Sequence, residues 1–351
     1  MKTLDFSIFH RELQFRFEAK TSRNSLRSKD CWIIQAFDKE SKQTGLGECS
    51  PIWGLSPESK EFLEGEFDKL LQGKLLSPKD TQSPALRFAL EQILLDIKAP
   101  SHVLFPSRFA TGQEGIPING LVWMNDIPTM TRQVAEKIDA GFHCIKLKVG
   151  AQNLNDEIEI IAGLRRQFDP QILEIRLDAN GAFNAGTAEG ILSRFAQYSI
   201  HSIEQPIQPR QWHEMANLVE KKIIPIALDE ELIGVEQNRR NDLLQAINPD
   251  YLILKPSLLG GFESCEEWIS LGAHRNIGWW ATSMLESNLG LNAIAHWTTQ
   301  FDNPLRHGLG TGQLYHNNFA SPLEIRGEQL WHNPEKNWDF NNLFDSRQST
   351  S

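Results

Sequence analysis

The sequence predicts an α/β protein: a (β/α)8-type barrel over residues 111–315, preceded by an α+β capping domain over residues 1–110. Three observations predict it. From Ile116 onwards, short apolar runs alternate with segments of helical period at nearly constant spacing. The first hundred residues instead place strands first and helices after them. Consecutive apolar runs of the second region end on charged residues. An open, doubly wound sheet is the competing arrangement, but the first run of the repeat ends in "VWMNDIP" rather than in a glycine-rich phosphate turn.

In the N-terminal region, "FSIFHRELQFRF" and "CWIIQAFD" read as two strands joined by the polar stretch "EAKTSRNSLRSKD". That connection is long for a hairpin and has the length of a lid or binding loop. "GLGECSPIWGLSPES" reads as strand and turn, and "PESKEFLEGEFDKLLQ" and "SPALRFALEQILLDIKA" carry helical apolar spacing. The barrel strands are expected at "IPINGLVW", "CIKLKVG", "LEIRLDAN", "HSIEQP", "IPIALDE", "YLILKPS", "IGWWATS" and "PLRHGLGTG", with helical segments such as "NDEIEIIAGLRRQF" and "NLGLNAIAHWTTQ" between them. Beyond the barrel, "FASPLEIRGEQLWHNPE" adds strands, and the segment 316–345 is expected to return to the capping domain. The tail from Asn341 is polar and expected to be frayed.

Bulk properties narrow the function. A formal net charge of -10 argues against a nucleic-acid partner, since phosphate binding needs a basic surface. No secretory apolar region and no membrane-length apolar run is present, so a cytoplasmic protein without a membrane partner is expected. Cys31, Cys49, Cys144 and Cys265 are far apart, as in a reduced protein without a zinc knuckle. A small-molecule ligand is left as the expected partner.

In "CIKLKVG", Lys146 and Lys148 alternate with apolar residues, so both ammonium groups point to one face of a strand. Alone, that pattern describes a strand with its lysines in water. The following strands change the reading. Lys148, Asp178, Glu204, Asp229 and Lys255 end the second to sixth strands in steps of 25 to 30 residues. In a closed barrel those ends are neighbours at one mouth, where charged residues read as catalytic. A single terminal Asp is explained by helix capping; five charged ends in succession are not.

Asp178, Glu204 and Asp229 would meet with no arginine in their motifs, and like charges at that range need compensation. An all-oxygen set suits Mg²⁺, with Mn²⁺ as a substitute. Zinc is disfavoured because no histidine pair has HExxH spacing, and "HEMAN" at His213 lacks the second histidine. Lysines beside such a metal have a use. A proton α to a carboxylate becomes removable when a cation stabilises the enediolate. Lys148 is then the base, Lys146 its supporting neighbour, and Lys255 a second acid/base or a fixed cation on the far side.

These motifs resemble the enolase superfamily: "KLK" at 146–148, Asp178 and Asn180 in "LDAN", Glu204 in "IEQP", Asp229 in "LDE", and Lys255 in "LKPS". A lysine base working with Mg²⁺ is that superfamily's known chemistry. Within its muconate-lactonising subgroup, "INGLVWM", "LKPSLLGGF" and "ATSMLESNLGLNAIAHW" are similar to the o-succinylbenzoate synthases, a match that runs through nearly the whole chain. The resemblance implies an enolase-like fold and dehydration of 2-succinyl-6-hydroxy-2,4-cyclohexadiene-1-carboxylate to 2-succinylbenzoate, a step of menaquinone biosynthesis. It implies that Lys148 takes the α-proton and then helps the 6-hydroxyl leave as water in a syn elimination, with Lys255 as a cation against the ring. Asn180 is a candidate for orienting ligands or water, with a helix-capping or turn asparagine as the alternative. Ser283 and the backbone of Gly310 are candidates for the succinyl carboxylate, and Glu286 for the site wall or a helix cap. Arg23, Ser25 and Arg27 are candidates for closing over an anionic substrate, and "GECSPIWG" for the capping surface.

The same acid/base frame also serves dipeptide epimerases and N-acylamino acid racemases, in which both lysines exchange one proton. A Schiff-base lyase is a weaker rival, since it has no use for converging carboxylates. A barrel that only binds a ligand has no use for the full charge set.

Overall fold

The computed structural model describes residues 1, 3–20, 25–340 and 343. Strands β1 (Leu4–Lys20), β2 (Ser25–Asp38) and β3 (Thr44–Cys49) form an antiparallel sheet in that order. The polar connection expected between β1 and β2 is largely strand. After a register shift between Gln14 and Ala19, backbone pairing continues to Lys20 and Ser25. Ladder hydrogen bonds do not require apolar side chains, so an exposed ribbon extends further than its hydrophobic pattern. Residues 21–24, including Arg23, lie outside the described residues, as does most of the tail from Asn341.

Helices α1 (Lys60–Leu71) and α2 (Pro84–Asp96) start at Ser59 and Ser83, whose hydroxyls accept the N–H groups of Phe62 and Leu86. They cover one face of the sheet, where Trp32, Ile34 and Ala36 meet Leu63, Phe67, Leu86, Leu90 and Ile93. Helix α2 comes so close to β3 that a Cβ on Gly47 would lie 2.1 Å from the Ala89 carbonyl oxygen. The alternate residues of β2, Cys31 and Ile33, point the other way and pack on Trp123, Leu289 and Tyr315. β2 is therefore buried on both faces, which its unbroken apolar run "CWIIQAF" reflects.

The barrel begins at β4 (Ile116–Pro117) and β5 (Gly120–Val122). It continues through β6 (Cys144–Lys148), β7 (Glu174–Asp178), β8 (Ser202–Glu204), β9 (Ile226–Leu228), β10 (Tyr251–Leu254) and β11 (Gly278–Ala281). β5 to β11 pair in parallel in chain order. The intervening helices are α3 (Ile127–Asp139), α4 (Leu154–Gln167), α5 (Ala185–Ala196), α6 (Trp212–Glu220), α7 (Arg240–Ile247), α8 (Pro256–Leu259), α9 (Gly261–Ala273) and α10 (Asn288–Thr298).

The eighth run does not form a regular strand. His307 and Gly308 make single parallel bridges to Ile118 and Thr282, and these close the ring. His307 N–H donates to Pro117 (2.9 Å) and Gly308 N–H to Ala281 (2.8 Å). Glycines at 308, 310 and 312 weaken strand formation there. The first run is also divided, because β4 pairs antiparallel with β13 (Gln329–His332), the partner of β12 (Leu323–Arg326). The C-terminal strands thus dock at the start of the barrel. Just ahead of them, Leu314 and His316 exchange backbone hydrogen bonds with Arg16 and Gln14 of β1.

Outward strand residues such as Ile145, Leu147, Ile175, Leu177 and Leu252 join the helices in the main core. Inside the ring, Ala227, Ile253 and Trp280 pack together, and the Arg176 guanidinium lies 4.2 Å from the Trp280 ring centre. Among the described residues, no helix is long and apolar enough to cross a membrane.

Candidate active site

Strand register brings the charges together. Lys148 pairs with Asp178, and Asp178 with Glu204, so three successive strands carry ionisable residues at one level. All three point into the ring, because Ile145, Leu147, Leu177 and Ile203 take the opposite face. Asp229 follows the end of β9 and Lys255 the end of β10. β6 and β10 occupy the second and sixth places of an eight-membered ring, so Lys148 and Lys255 stand across the mouth from each other, with the carboxylates on the strands between.

Lys146 Nζ donates to Asp178 Oδ2 (2.9 Å) and Glu204 Oε2 (2.8 Å). Lys148 Nζ donates to Asp178 Oδ2 (2.6 Å) and Asn180 Oδ1 (2.7 Å). Lys255 Nζ donates to Asp229 Oδ2. Asn180 has a left-handed backbone (φ 46°), its N–H donates to Asp178 Oδ1 (3.1 Å), and its Nδ2 donates to Glu230 Oε1 (3.1 Å). Asparagine tolerates the left-handed region because its short polar side chain bonds locally.

The surroundings shift the three carboxylates in different directions. Burial works against ionisation of Asp178, but Lys146 and Lys148 outweigh it and hold its pKa far below the usual range. Burial pushes Glu204 up to about 8, with the Asp178 charge adding to the rise although both share the Lys146 ammonium. Asp229 is also raised, by burial first, against the pull of Lys255. Lys146 is raised: burial opposes its charge, and Asp178 and Glu204 more than offset that.

The donor set fits a hard divalent cation. Asp178, Glu204 and Asp229 offer carboxylate oxygens only, and Glu204 Oε1 is buried with no hydrogen-bond partner. Among the described residues no acidic, histidine or cysteine trio is already drawn together around one point. Lys146 stands between Asp178 and Glu204, and Lys255 is on Asp229.

These groups lie at the base of a cavity of about 1060 Å³, counting space open to solvent. Lys146, Lys148, Asp178, Asn180, Glu204, Lys255, Ser283 and Gly310 all line it. Asp229 sits beside it, bonded to Lys255. The upper wall is apolar: Leu26, Ile52, Trp53 and Leu55 from the N-terminal domain, with Trp123 and Met284 from the barrel. Trp53 is held by its indole N–H, which donates to Asp30 Oδ2 (2.8 Å). "GECSPIWG" therefore contributes to the roof.

The remaining expected residues divide. The side chain of Ser25, like Arg23, lies outside the described residues. Arg27 is exposed and 3.5 Å from Glu18, on the ribbon rather than over the cavity. Glu286 is buried away from the cavity and accepts from Ser257 Oγ; the helix cap considered for it is made by Ser287, whose hydroxyl accepts the Leu289 N–H.

Two residues escaped the sequence reading. Glu230, next to Asp229, lines the cavity and bonds Asn180. Gln205, next to Glu204, is wholly buried with φ 40°, and its Oε1 accepts the N–H groups of Asp229 (3.2 Å) and Glu231 (3.1 Å). It ties the end of β8 to the end of β9, and so one expected metal ligand to the next. Adjacency to the motif residues was the only local signal for either.

Residues 129–334 match the family described as enolase C-terminal domain-like. The chain is 42% identical to the o-succinylbenzoate synthase of Desulfotalea psychrophila (strain LSv54 / DSM 12343), over 94% of this chain and 99% of that one. The crystal structure of MenC from Desulfotalea psychrophila LSv54 superposes with a TM-score of 0.84 at 40% identity, covering 94% of this chain and 99% of that chain. A dipeptide epimerase from Enterococcus faecalis V583, solved with Mg and the dipeptide L-Leu-L-Tyr, shares the fold at 19% identity and a TM-score of 0.82, covering 95% and 97% of the two chains. With these matches across barrel and N-terminal domain alike, the chain belongs to the o-succinylbenzoate synthase family within the enolase superfamily.

Proposed function

We propose that this protein is a Mg²⁺-dependent hydro-lyase, dehydrating 2-succinyl-6-hydroxy-2,4-cyclohexadiene-1-carboxylate to 2-succinylbenzoate in cytoplasmic menaquinone biosynthesis. The observation that carries the reading is the pair Lys148 and Lys255, facing each other across a row of carboxylates beneath an apolar roof. The 42% identity to an o-succinylbenzoate synthase supports that substrate. In this reading residues 1–110 are the cap and 111–315 the catalytic barrel.

Asp178, Glu204 and Asp229 would hold the metal, which when bound offsets negative charge on the substrate carboxylate as the α-proton leaves. Lys148 takes that proton, and its ammonium then donates it to the departing 6-hydroxyl on the same face. Asn180 aims Lys148 through its 2.7 Å contact with Nζ. Lys146 neutralises Asp178 and Glu204 from below. Lys255 stays charged, facing the ring. Ser283 and the Gly310 backbone receive the succinyl carboxylate, at strand positions seven and eight, beyond Lys255.

Ultraviolet monitoring of that dehydration with Mg²⁺ tests the proposal; lack of turnover by metal-loaded protein would reject it. The two opposed lysines also suit a dipeptide epimerase or N-acylamino acid racemase. Exchange of the α-proton with D₂O at both faces of such substrates would support that reading.

A further inference from the structure

The loop after β11, residues 282–287, carries four cavity-lining residues, Thr282, Ser283, Met284 and Leu285. Its shape is not self-supporting. Leu285 sits in the left-handed region with φ 59°, which a leucine rarely adopts unless its surroundings compel it. The compelling contacts come largely from the N-terminal domain.

Lys29 of β2 is almost wholly buried, and its ammonium donates to the carbonyls of Met284 (2.6 Å) and Leu285 (3.1 Å). Tyr315 Oη donates to the same Leu285 carbonyl (2.6 Å). From β3, the Glu48 carboxylate accepts the Ser287 N–H (2.8 Å), the Ser287 hydroxyl (2.5 Å) and the Gly290 N–H (2.8 Å). A buried cation thus meets the loop's carbonyls while a buried anion meets the amides just beyond them. Within the loop, Ser283 Oγ accepts the Leu285 N–H (2.9 Å) and lies 2.8 Å from Thr311 Oγ1. The backbone turn at Leu285 therefore also orients the Ser283 hydroxyl in the cavity wall.

We infer that Lys29 is a positioning residue: with Glu48 it latches the N-terminal domain onto the 282–287 loop and so sets the wall that receives the substrate's distal carboxylate. The latch makes the cap a structural part of the binding site even where it does not touch ligand. Its effect on turnover rests on the substrate reading above; its effect on the loop does not.

The test compares Lys29→Met, Lys29→Arg and Tyr315→Phe with the unaltered protein by amide hydrogen exchange of 282–291, by steady-state kinetics and by thermal melting. Loss of charged hydrogen bonds at one carbonyl pair corresponds to about ten-fold or more. Lys29→Met is expected to speed exchange in 282–291 and raise KM by about that factor, with kcat changed by less than about three-fold. Lys29→Arg should recover much of both, and Tyr315→Phe should shift both in the same direction by less. Unchanged exchange in the loop, or a lowered melting temperature with unchanged KM, would overturn the inference. Should Lys29→Met not fold, Tyr315→Phe tests the same carbonyl. Should the wild type not turn over the proposed substrate, the exchange measurement alone decides the latch.

Discussion

Lys148 and Asp178 are register partners on the adjacent parallel strands β6 and β7, and Lys148 Nζ stands 2.6 Å from Asp178 Oδ2. The expected base and an expected metal ligand thus share one hydrogen bond. A ligand that engages Asp178 Oδ2 competes with the Lys148 amine, which Asn180 Oδ1 also holds at 2.7 Å. A change at Asp178 is therefore felt directly at Lys148.

The two lysines are expected to respond differently to arginine. A base must shed its proton, which a guanidinium does not do, so Lys148→Arg should lower kcat by at least about 10³-fold, as should Lys148→Ala. A fixed cation needs only its charge, so Lys255→Arg should keep more activity than Lys255→Ala. Steady-state kinetics on the cyclohexadiene substrate checks this. Equal inactivation by both arginine variants would favour two-base racemase chemistry.

Removing divalent metal with EDTA should abolish turnover, and Mg²⁺ or Mn²⁺ should restore it. Because the metal would bind only the folded arrangement of Asp178, Glu204 and Asp229, Mg²⁺ should also raise the melting temperature in proportion to the logarithm of its concentration above Kd. A melting temperature insensitive to Mg²⁺ in the millimolar range would count against this donor set.

Gln205 accepts the amides of Asp229 and Glu231 in a fully buried position. Gln205→Leu leaves those N–H groups without that acceptor and should cost about 1–3 kcal/mol in urea unfolding. Because it also loosens Asp229 relative to Glu204, Mg²⁺ affinity by calorimetry should fall by about ten-fold or more.

Glu91 of α2 reaches across to the start of α9, where it accepts the Phe262 N–H, and burial pushes its pKa up to about 7 against an ordinary 4.5. Between those values the folded state binds more protons than the unfolded one, so stability falls as pH rises. The contribution is complete below about pH 4.5 and gone above about pH 7. Glu91 is only half-buried, so we expect about 2 kcal/mol or less across that window, below the full conversion of the shift. Glu91→Gln should flatten the difference in denaturation curves between pH 5 and pH 8.

Gly261 lies against the same carboxylate with φ 94°, and a Cβ there would come 2.4 Å from Glu91 Oε2. Gly261→Ala should therefore destabilise by about 1–3 kcal/mol in chemical denaturation. Of the glycine pair in "LKPSLLGGF", Gly261 is thus explained by its nearness to Glu91 of α2, and Gly260 by its left-handed backbone (φ 94°) at the end of α8.

The architecture was legible in the sequence, as was the placing of charges at successive strand ends, because both are written in local periods. Alternation in "CIKLKVG" put Lys146 and Lys148 on one face, and steps of 25 to 30 residues put Asp178, Glu204, Asp229 and Lys255 at successive strand ends. A closed barrel converts that one-dimensional register into proximity. Tertiary structure alone decided which polar strands extend the β1–β2 ribbon, that the eighth run closes the ring by bridges, and that β13 divides the first strand. It also decided the partners of Lys29 and Glu48. Their contacts with Met284 and Ser287 span 255 and 239 residues of chain, and no periodicity reaches that far. A buried charge finds its partner through the packing of two domains, and only the folded backbone shows which carbonyls and amides arrive there.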